Sequence, residues 1–505
     1  MINFKLPILS LIIFLMSGVA SCSSKDRITP EEPYTSDEFF VSPTGSDTNT
    51  GSREKPLQTI QAGIFKLSMG MGKTLTILEG SYEPGAMINI KLKGSETRQF
   101  LIRGDIGKHI TVDGSKFNIT PGTQYPYNNG LLNIDQSEWL TLQNITVKNS
   151  HRAAINIQQS SHINIINCKT ENSLSPGISA WQGCSYIKVL GNTVINANNM
   201  GMSWDTYTGS EAPHEAISMA GPHHFEVAWN HVYNCKKEGI DVKETAAHGV
   251  VHHNYVHHLD RQGLYVDAWF GQLEDIEFRD NVVHNCEAGI AVSSEEGPDT
   301  KNIRIHHNLA YNNRATGLFF SRWGADNLRE DLKIYNNTFY QNGWGIGMSG
   351  DPQYWLNGGC FIYSTNLKKI IITNNIFARN IPFEIGFSEK YGTVIPADKQ
   401  IEISYNLIQD INVREWPFYL STWIKESVWP TKGSNYKEGD PQFTNPASGD
   451  FTLKSNSPAI NAGNPLFPNP GNSSSDIGAF PYGTTSDTFW WKNNFPPVID
   501  LNSLN

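Results

Sequence analysis

The feature that most constrains this chain is a recurring asparagine. It precedes an apolar pair in "LQNITVKN", "IINCKTEN", "LGNTVINAN", "AWNHVYNC", "HHNYVHHL", "RDNVVHNC", "HHNLAYNN", "YNNTFYQN", "TNNIFARN" and "SYNLIQD". These residues are Asn144, Asn167, Asn192, Asn230, Asn254, Asn281, Asn308, Asn337, Asn375 and Asn406, with successive spacings of 23, 25, 38, 24, 27, 27, 29, 38 and 31. A basic period in the mid-twenties, lengthened at a few turns, specifies stacked supersecondary units and so decides the architecture before any local reading. Most periods also carry a Gly-apolar-x-apolar element: "GISAW", "GIDVK", "GLYVD", "GIAVS", "GLFFS", "GIGMS". Alternation of period two marks half-buried strands. Several short strands per period, closed by Gly and Asn, mark the coils of an all-β solenoid.

Stacked coils place equivalent residues one strand spacing apart, roughly 4.8 Å, so like residues form ladders. The asparagines are one such ladder. Cys235 and Cys286 follow an equivalent Asn two coils apart, and Cys168 holds a comparable place earlier. Residues that far apart cannot be bridged, so they read as small buried ladder residues. The histidines of "HHF", "VHHNYVHHL" and "IHHN" recur at turn positions and read as turn filling; no metal site is assigned to them. Five cysteines follow Cys22, an odd number without a CxxC pair, which signals neither a disulfide framework nor a zinc site. The formal net charge of −10, with no basic run, argues against nucleic acid as a partner.

At the N-terminus, Lys5 precedes an apolar run from Leu6 to Met16 that is too short to span a bilayer, as in a signal peptide. Val19, Ala20, Ser21 and Cys22 resemble the lipobox of bacterial lipoproteins, which implies cleavage before Cys22 and lipidation of its thiol. The expected organisation is a signal peptide over 1–21, a lipidated tether over 22–36, a solenoid over 37–485 and a tail over 486–505. The expected setting is the bacterial outer membrane, reached only through the anchor, and the expected state is a monomer.

"FFVSPTGSDTNTGSREKPLQTIQAGI" (Phe39 to Ile64) resembles the N-terminal capping segment of secreted bacterial β-helix carbohydrate enzymes. "DPQFTN", "GDFTLKSNSPAINAG" and "DIGAF" (Asp440 to Phe480) resemble their C-terminal end. The resemblance covers nearly all of the chain beyond the tether. It implies a right-handed, single-stranded parallel β-helix with capped ends and a polysaccharide or oligosaccharide partner. Because this fold hosts hydrolases, lyases, esterases, epimerases and adhesins, the reaction must be sought on the exposed face.

With the strands registered on the glycine, or on Ala216 where glycine is missing, residues two and four further on point outward. The outward pairs are Ser179 and Trp181, Ser218 and Ala220, Asp241 and Lys243, Tyr265 and Asp267, Ala291 and Ser293, Phe319 and Ser321. Asp241, Lys243, Tyr265 and Asp267 form a compact ionisable patch, with Lys243 over Asp267 and Asp241 over Tyr265. A lysine one strand spacing away should depress the pKa of Asp267 and keep it ionised, as suits a nucleophile or base. Asp241, beside a phenol, is then the carboxyl that keeps a proton. Two carboxyls in unlike environments are what glycoside hydrolysis requires. In "SSEEGP", Glu295 and Glu296 lie just beyond the next strand, and either could replace Asp241 as the acid.

"GLYVDAW" (Gly263 to Trp269) is similar to the Gly-aliphatic-aromatic-aliphatic-Asp strand of the β-helical β-xylosidases and α-L-fucosidases, a match that implies a catalytic role for Asp267. Those β-xylosidases place a glutamate at the same position one coil later; here Ser293 stands there and Glu295 follows two residues on, so the acid stays unassigned. The rival reading is β-elimination on a uronate glycan. "KEGIDVKE" (Lys237 to Glu244) resembles the acidic strand that holds calcium in β-helical pectate lyases, and the acidic strand followed by a lysine base in chondroitinase B. By that resemblance Lys243 is the base, Arg261 or Arg322 neutralises the uronate, and Asp241, Glu238 and Glu244 hold calcium. On the hydrolase reading no cofactor is expected. The net acidity of the chain gives no general attraction to polyuronates. A third reading is a non-catalytic carbohydrate-binding or adhesin solenoid.

"APHE" (Ala212 to Glu215), similar to a motif of β-helical alginate epimerases, ends an insertion and places His214 and Glu215 as a wall of the groove. Trp181, Trp204, Tyr207, Trp269, Trp323, Tyr354 and Trp355 fall on outward positions or flanking loops, where flat rings could stack on sugar faces. Insertions at 351–358 and 407–436 could close one end of the groove and favour exo attack.

Overall fold

The computed structural model describes residues 36–117, 129–200, 212–344, 358–388, 396–409, 428–469 and 475–501. Cys22, the signal segment, the tether up to residue 35, the "GIGMS" element and four of the expected groove aromatics (Trp204, Tyr207, Tyr354 and Trp355) lie outside them. So do most of the insertions at 351–358 and 407–436.

Each coil carries three strands. A representative coil runs through Ile240–Lys243, Ala247–His252 and Tyr255–His257 before the next coil opens with Leu264–Ala268. Stacking builds three parallel sheets, called here the site sheet, the long-strand sheet and the short-strand sheet; among the described residues they hold 12, 13 and 13 strands. In the site sheet Ile240, Val242, Leu264 and Val266 point inward and are fully buried, which is the alternation the sequence predicts. Beyond Leu318–Phe320 the next described strand of this sheet is Cys360–Ile362.

Between the long-strand and short-strand sheets the asparagines form a continuous ladder. Asn230 donates from its backbone N and its Nδ2 to Asn254 Oδ1, both at 3.0 Å, and the pattern continues through Asn281, Asn308, Asn337, Asn375 and Asn406. The backbone N–H and side-chain amide of each of these ladder residues are thereby paired inside the turn, which is why the residue type recurs. The ladder begins one residue out of the frame expected for the first two coils. Cys168, not Asn167, donates its backbone N to Asn192 Oδ1 (2.8 Å), while Asn144 and Asn167 take left-handed φ values of 57° and 51° just before it.

A second column explains the glycines. A Cβ on Gly239 would lie 2.5 Å from the carbonyl oxygen of Gly263, and one on Gly289 would lie 2.6 Å from that of Gly317, so backbones pass too closely for any side chain. His253, His258 and His307 occupy left-handed positions between strands, with φ between 52° and 56°, whereas His224 and His248 take left-handed φ of 57° within the strands His223–Ala228 and Ala247–His252. Cys168, Cys184, Cys235, Cys286 and Cys360 are free and buried.

The N-terminal end is closed by the helix Ile60–Ser68, whose N-cap Thr59 side chain accepts from the amide of Ala62 and whose buried face is Ile60, Gly63, Ile64 and Leu67. The C-terminal segment packs on the side of the solenoid. Phe443, Phe451, Phe489 and Trp491 cover Val282, Leu309, Ile376 and Leu407, the outward row of the short-strand sheet. Residues 489–499, read from the sequence as a tail, run back over earlier coils as a strap. Trp490 meets Trp229 edge-on (5.5 Å), Phe495 meets His231 (5.9 Å), and the backbone of Ile499 exchanges two 3.0 Å bonds with the Asn167 side chain.

Candidate active site

The outward rows of the site sheet stand in the register the sequence predicts. Ser179, Ser218, Asp241, Tyr265, Ala291 and Phe319 are successive partners, and so are Trp181, Ala220, Lys243, Asp267 and Ser293. The first row thus passes from hydroxyls through a carboxyl and a phenol to an apolar block in which Tyr265 packs with Phe319, Phe361 and Phe383. That block and the neighbouring turns cover the rows, so the patch is sunk rather than solvated: Asp241 is 0%, Asp267 2% and Tyr265 4% exposed.

Lys243 sits at the centre. Its Nζ lies 3.2 Å from Glu215 Oε1, 3.7 Å from Asp241 Oδ2 and 3.6 Å from Asp267 Oδ2. Burial opposes the lysine's charge, but the three carboxyls outweigh it and hold the ammonium well above its ordinary pKa. Glu215 also suffers burial; Lys243 and the Ser218 hydroxyl, which donates to Oε2 at 2.8 Å, bring it down to about 2. One ammonium does not serve three buried carboxylates. Asp241 is pushed well above the carboxylate range by burial and by Glu215. Asp267 is likewise pushed well up, by burial that Lys243 offsets only in part and by Glu295 and Glu215. The expectation that Lys243 depresses the pKa of Asp267 is therefore corrected: Lys243, then His214 and Lys237, and the Ser218 hydroxyl favour the Glu215 anion, and Asp267 is pushed up instead.

One coil on, the Tyr265 phenol donates to Glu295 Oε1 at 2.5 Å. Burial raises the pKa of Glu295, and the phenol works against that rise. Glu215, Lys243, Tyr265, Asp267 and Glu295 line a cleft of about 370 Å³ whose other walls include Lys237, Glu238, Arg261, Gln262, Glu287, Trp269 and Trp323. Arg261 pairs with Glu238 at 3.2 Å, and Trp323 stands edge-on to Tyr265.

Of the residues the sequence singled out, Asp241, His214, Arg322, Glu244 and the exposed Glu296 lie off the cleft wall. Asp241 is sealed beneath it. His214, lowered to about 4 by burial, packs edge-on against Trp181, whose indole donates to Asn156. Arg322 lies 3.6 Å from Asp326 and over the Tyr363 ring.

Glu215 was legible only as a wall residue, yet it completes the central cluster. Its signal was an acidic residue directly before the glycine position in two successive coils, "HEAI" and "KEGI". Glu244, which the lyase resemblance made a calcium ligand, is raised to about 7 by burial and does not line the cleft.

The lyase resemblance implies calcium, so the donor set was tested for it. The carboxyls that converge here do so on the Lys243 ammonium, whose Nζ at 3.2 to 3.7 Å from them already fills the position a cation would need. Among the described residues no group of three or more His, Cys, Asp or Glu is arranged to hold a metal ion. The residues present do not fit calcium.

A family model described as a right handed beta helix region matches residues 129–298. The uncharacterized protein YwoF of Bacillus subtilis (strain 168) is 26% identical over 482 residues, covering 86% of this chain and 94% of YwoF. Pectate lyase PEL9 of Emericella nidulans is 22% identical over 325 residues, covering 56% of this chain and 75% of that protein. Among solved structures, pectate lyase Pel9A is 14% identical, with a TM-score of 0.47 over 89% of this chain and 97% of that one. The complex of XylC with xylose is 11% identical, with a TM-score of 0.44 over 81% and 87%. The matched segment 129–298 holds Glu215, Asp241, Lys243, Asp267 and Glu295, and the fold that carries them is a right-handed parallel β-helix.

Proposed function

We propose that this chain is an enzyme acting on poly- or oligosaccharide, and that it is a glycoside hydrolase. Asp267 protonates the leaving oxygen, and Glu295 is the carboxylate that attacks the sugar or activates water. The observation that carries this reading is the pairing of Asp267 and Glu295 across one coil in a single cleft. Asp267 is pushed well up among buried carboxyls, whereas Glu295, itself raised by burial, accepts a hydrogen bond from Tyr265 that works against the rise and sets the two carboxyls apart. Trp269 and Trp323 supply aromatic surface at the cleft. A volume of about 370 Å³ suits a short stretch of glycan.

A screen of aryl glycosides and of plant and algal polysaccharides tests it, run with wild type and Asp267→Asn side by side. The expected result is reducing sugar without ultraviolet-absorbing unsaturated product. Loss in Asp267→Asn should be severe on natural linkages and mild on dinitrophenyl glycosides, which need no acid to depart. Equal loss on both would sink the assignment of Asp267 as proton donor.

β-Elimination is a second reading, favoured by the sequence relative named as a pectate lyase. It asks Lys243 to act as a base although three carboxyls hold its proton. Unsaturated product from a polyuronate would establish it. Binding without turnover would leave an adhesin-like module.

The lipobox-like segment supports anchoring through Cys22 to the outer membrane; lipid labelling retained in Cys22→Ser would refute that.

A further inference from the structure

Three carboxyls from three successive coils converge on one buried side chain. Glu215 precedes the strand Ile217–Ala220, Asp241 lies in Ile240–Lys243, and Asp267 lies in Leu264–Ala268. The convergence is enforced by the parallel register, which sets Ala220 beside Lys243 and Lys243 beside Asp267. A cage of carboxylate oxygens contributed by rigid strands is the kind of donor set that hard divalent cations take. Here its centre holds Nζ of Lys243, with one oxygen of each carboxyl within 3.2 to 3.7 Å. Lys243 hydrogen-bonds Glu215 and stands in ion-pair range of Asp241 and Asp267, as a point-charge ammonium can among several carboxyls.

The remaining oxygens are informative. Both Asp241 oxygens and Asp267 Oδ1 are fully buried without a hydrogen-bond partner. Such groups are costly unless neutralised. One ammonium leaves the cage with an excess of negative charge, which protons on Asp241 and Asp267 remove.

We infer that Lys243 is the resident cation of this cleft. Its ammonium takes the place a divalent metal would take among Glu215, Asp241 and Asp267, so the folded cleft is complete without metal. Withdrawing the ammonium turns the cage into a site for a hard divalent cation. The inference concerns the cation of the cleft and not the bond that is cleaved, so it stands apart from the hydrolase reading. A wild type indifferent to chelator and idle on every glycan would refute that reading and leave this one intact.

The test uses the full chain as wild type, as Lys243→Met, and as Lys243→Met combined with Glu215→Gln and Asp267→Asn. Thermal unfolding is followed in chelator and with added Ca²⁺ or Mn²⁺, and cation binding is titrated calorimetrically in two buffers of different ionisation heat. Wild type should show the same Tm in chelator and in calcium. Lys243→Met should unfold at lower temperature in chelator and recover on titration of one equivalent of cation. The expected dissociation constant is about 10⁻⁴ M, typical of extracellular oxygen sites, and binding should release protons from Asp241 and Asp267. The triple variant should lose the response, which separates the cage from surface carboxylates. Lys243→Met that folds and binds no cation overturns the inference. So does a wild type whose Tm rises saturably with calcium and whose rise disappears in Asp241→Asn; this arm needs no Lys243 variant to fold.

Discussion

Tyr265 and Glu295 are joined across one coil by a 2.5 Å hydrogen bond from the phenol to Oε1, although they are 30 residues apart in the chain. The bond favours the ionised carboxylate. Tyr265→Phe should therefore raise the pKa of Glu295 and move the acidic limb of the kcat/KM profile to higher pH. The rate at the optimum should fall by about 10². An unchanged acidic limb would show that Glu295 is not the group titrating there.

The asparagine ladder should be costly to interrupt. Asn281 accepts from both the backbone N and the Nδ2 of Asn254 and donates to Asn308. Asn281→Ala leaves the buried backbone N–H of Asn254 without its partner, at about 1–3 kcal/mol, while Asn254 Nδ2 keeps the carbonyls of Val227 and His252. Denaturant unfolding should register a loss of that order, whereas Asn302→Ala, half-buried within the strand Asp299–His306, should cost less.

The histidines set an acid limit. Burial lowers His231, His253 and His307 to about 4, and His257 and His284 to about 3. The unfolded chain, with histidine near 6.5, takes up protons first, so this contribution is complete above about 6.5 and is lost as pH falls towards the folded values. Glu244 acts in the opposite sense. Its pKa is raised to about 7, so its contribution is present below the ordinary glutamate value and is lost as pH rises through about 7. Tm measured against pH should fall less steeply between pH 6.5 and 4 in His257→Gln. In Glu244→Gln it should fall less steeply between pH 5 and 8.

The free thiols should be inert in the native protein. Burial pushes Cys168, Cys235 and Cys286 up to about 12 and raises Cys184 and Cys360 as well. Alkylation at pH 8 should leave all five unmodified until denaturant is added; rapid labelling of any one would contradict its buried place.

The solenoid was legible because its ladders are written in residue types that serve one job per coil. Asn254 and Asn281 recur because each must satisfy the next amide, and Gly239 and Gly263 because backbones touch there. The same glycine frame places Asp241, Lys243, Tyr265 and Asp267 together. Ionisation was not legible, since it depends on how deeply Phe319 and Phe361 cover the patch and on a third carboxyl, Glu215, delivered by an insertion. The strap escaped detection for a related reason: Trp490 and Ile499 meet partners more than two hundred residues away, and nothing local in the last twenty residues announces them.

Trp491 is 7% exposed and packs with Phe489 over the outward row of the short-strand sheet, so Trp491→Ala should cost about 3–5 kcal/mol. A smaller loss would mean the strap is dispensable. Its direction has a consequence for biogenesis. Coils can stack in order as the polypeptide emerges, but Val282, Leu309 and Ile376 stay uncovered until Phe443, Phe451, Phe489 and Trp491, made later, fold back over them. A chain interrupted before Phe443 therefore presents an oily flank to proteases and chaperones.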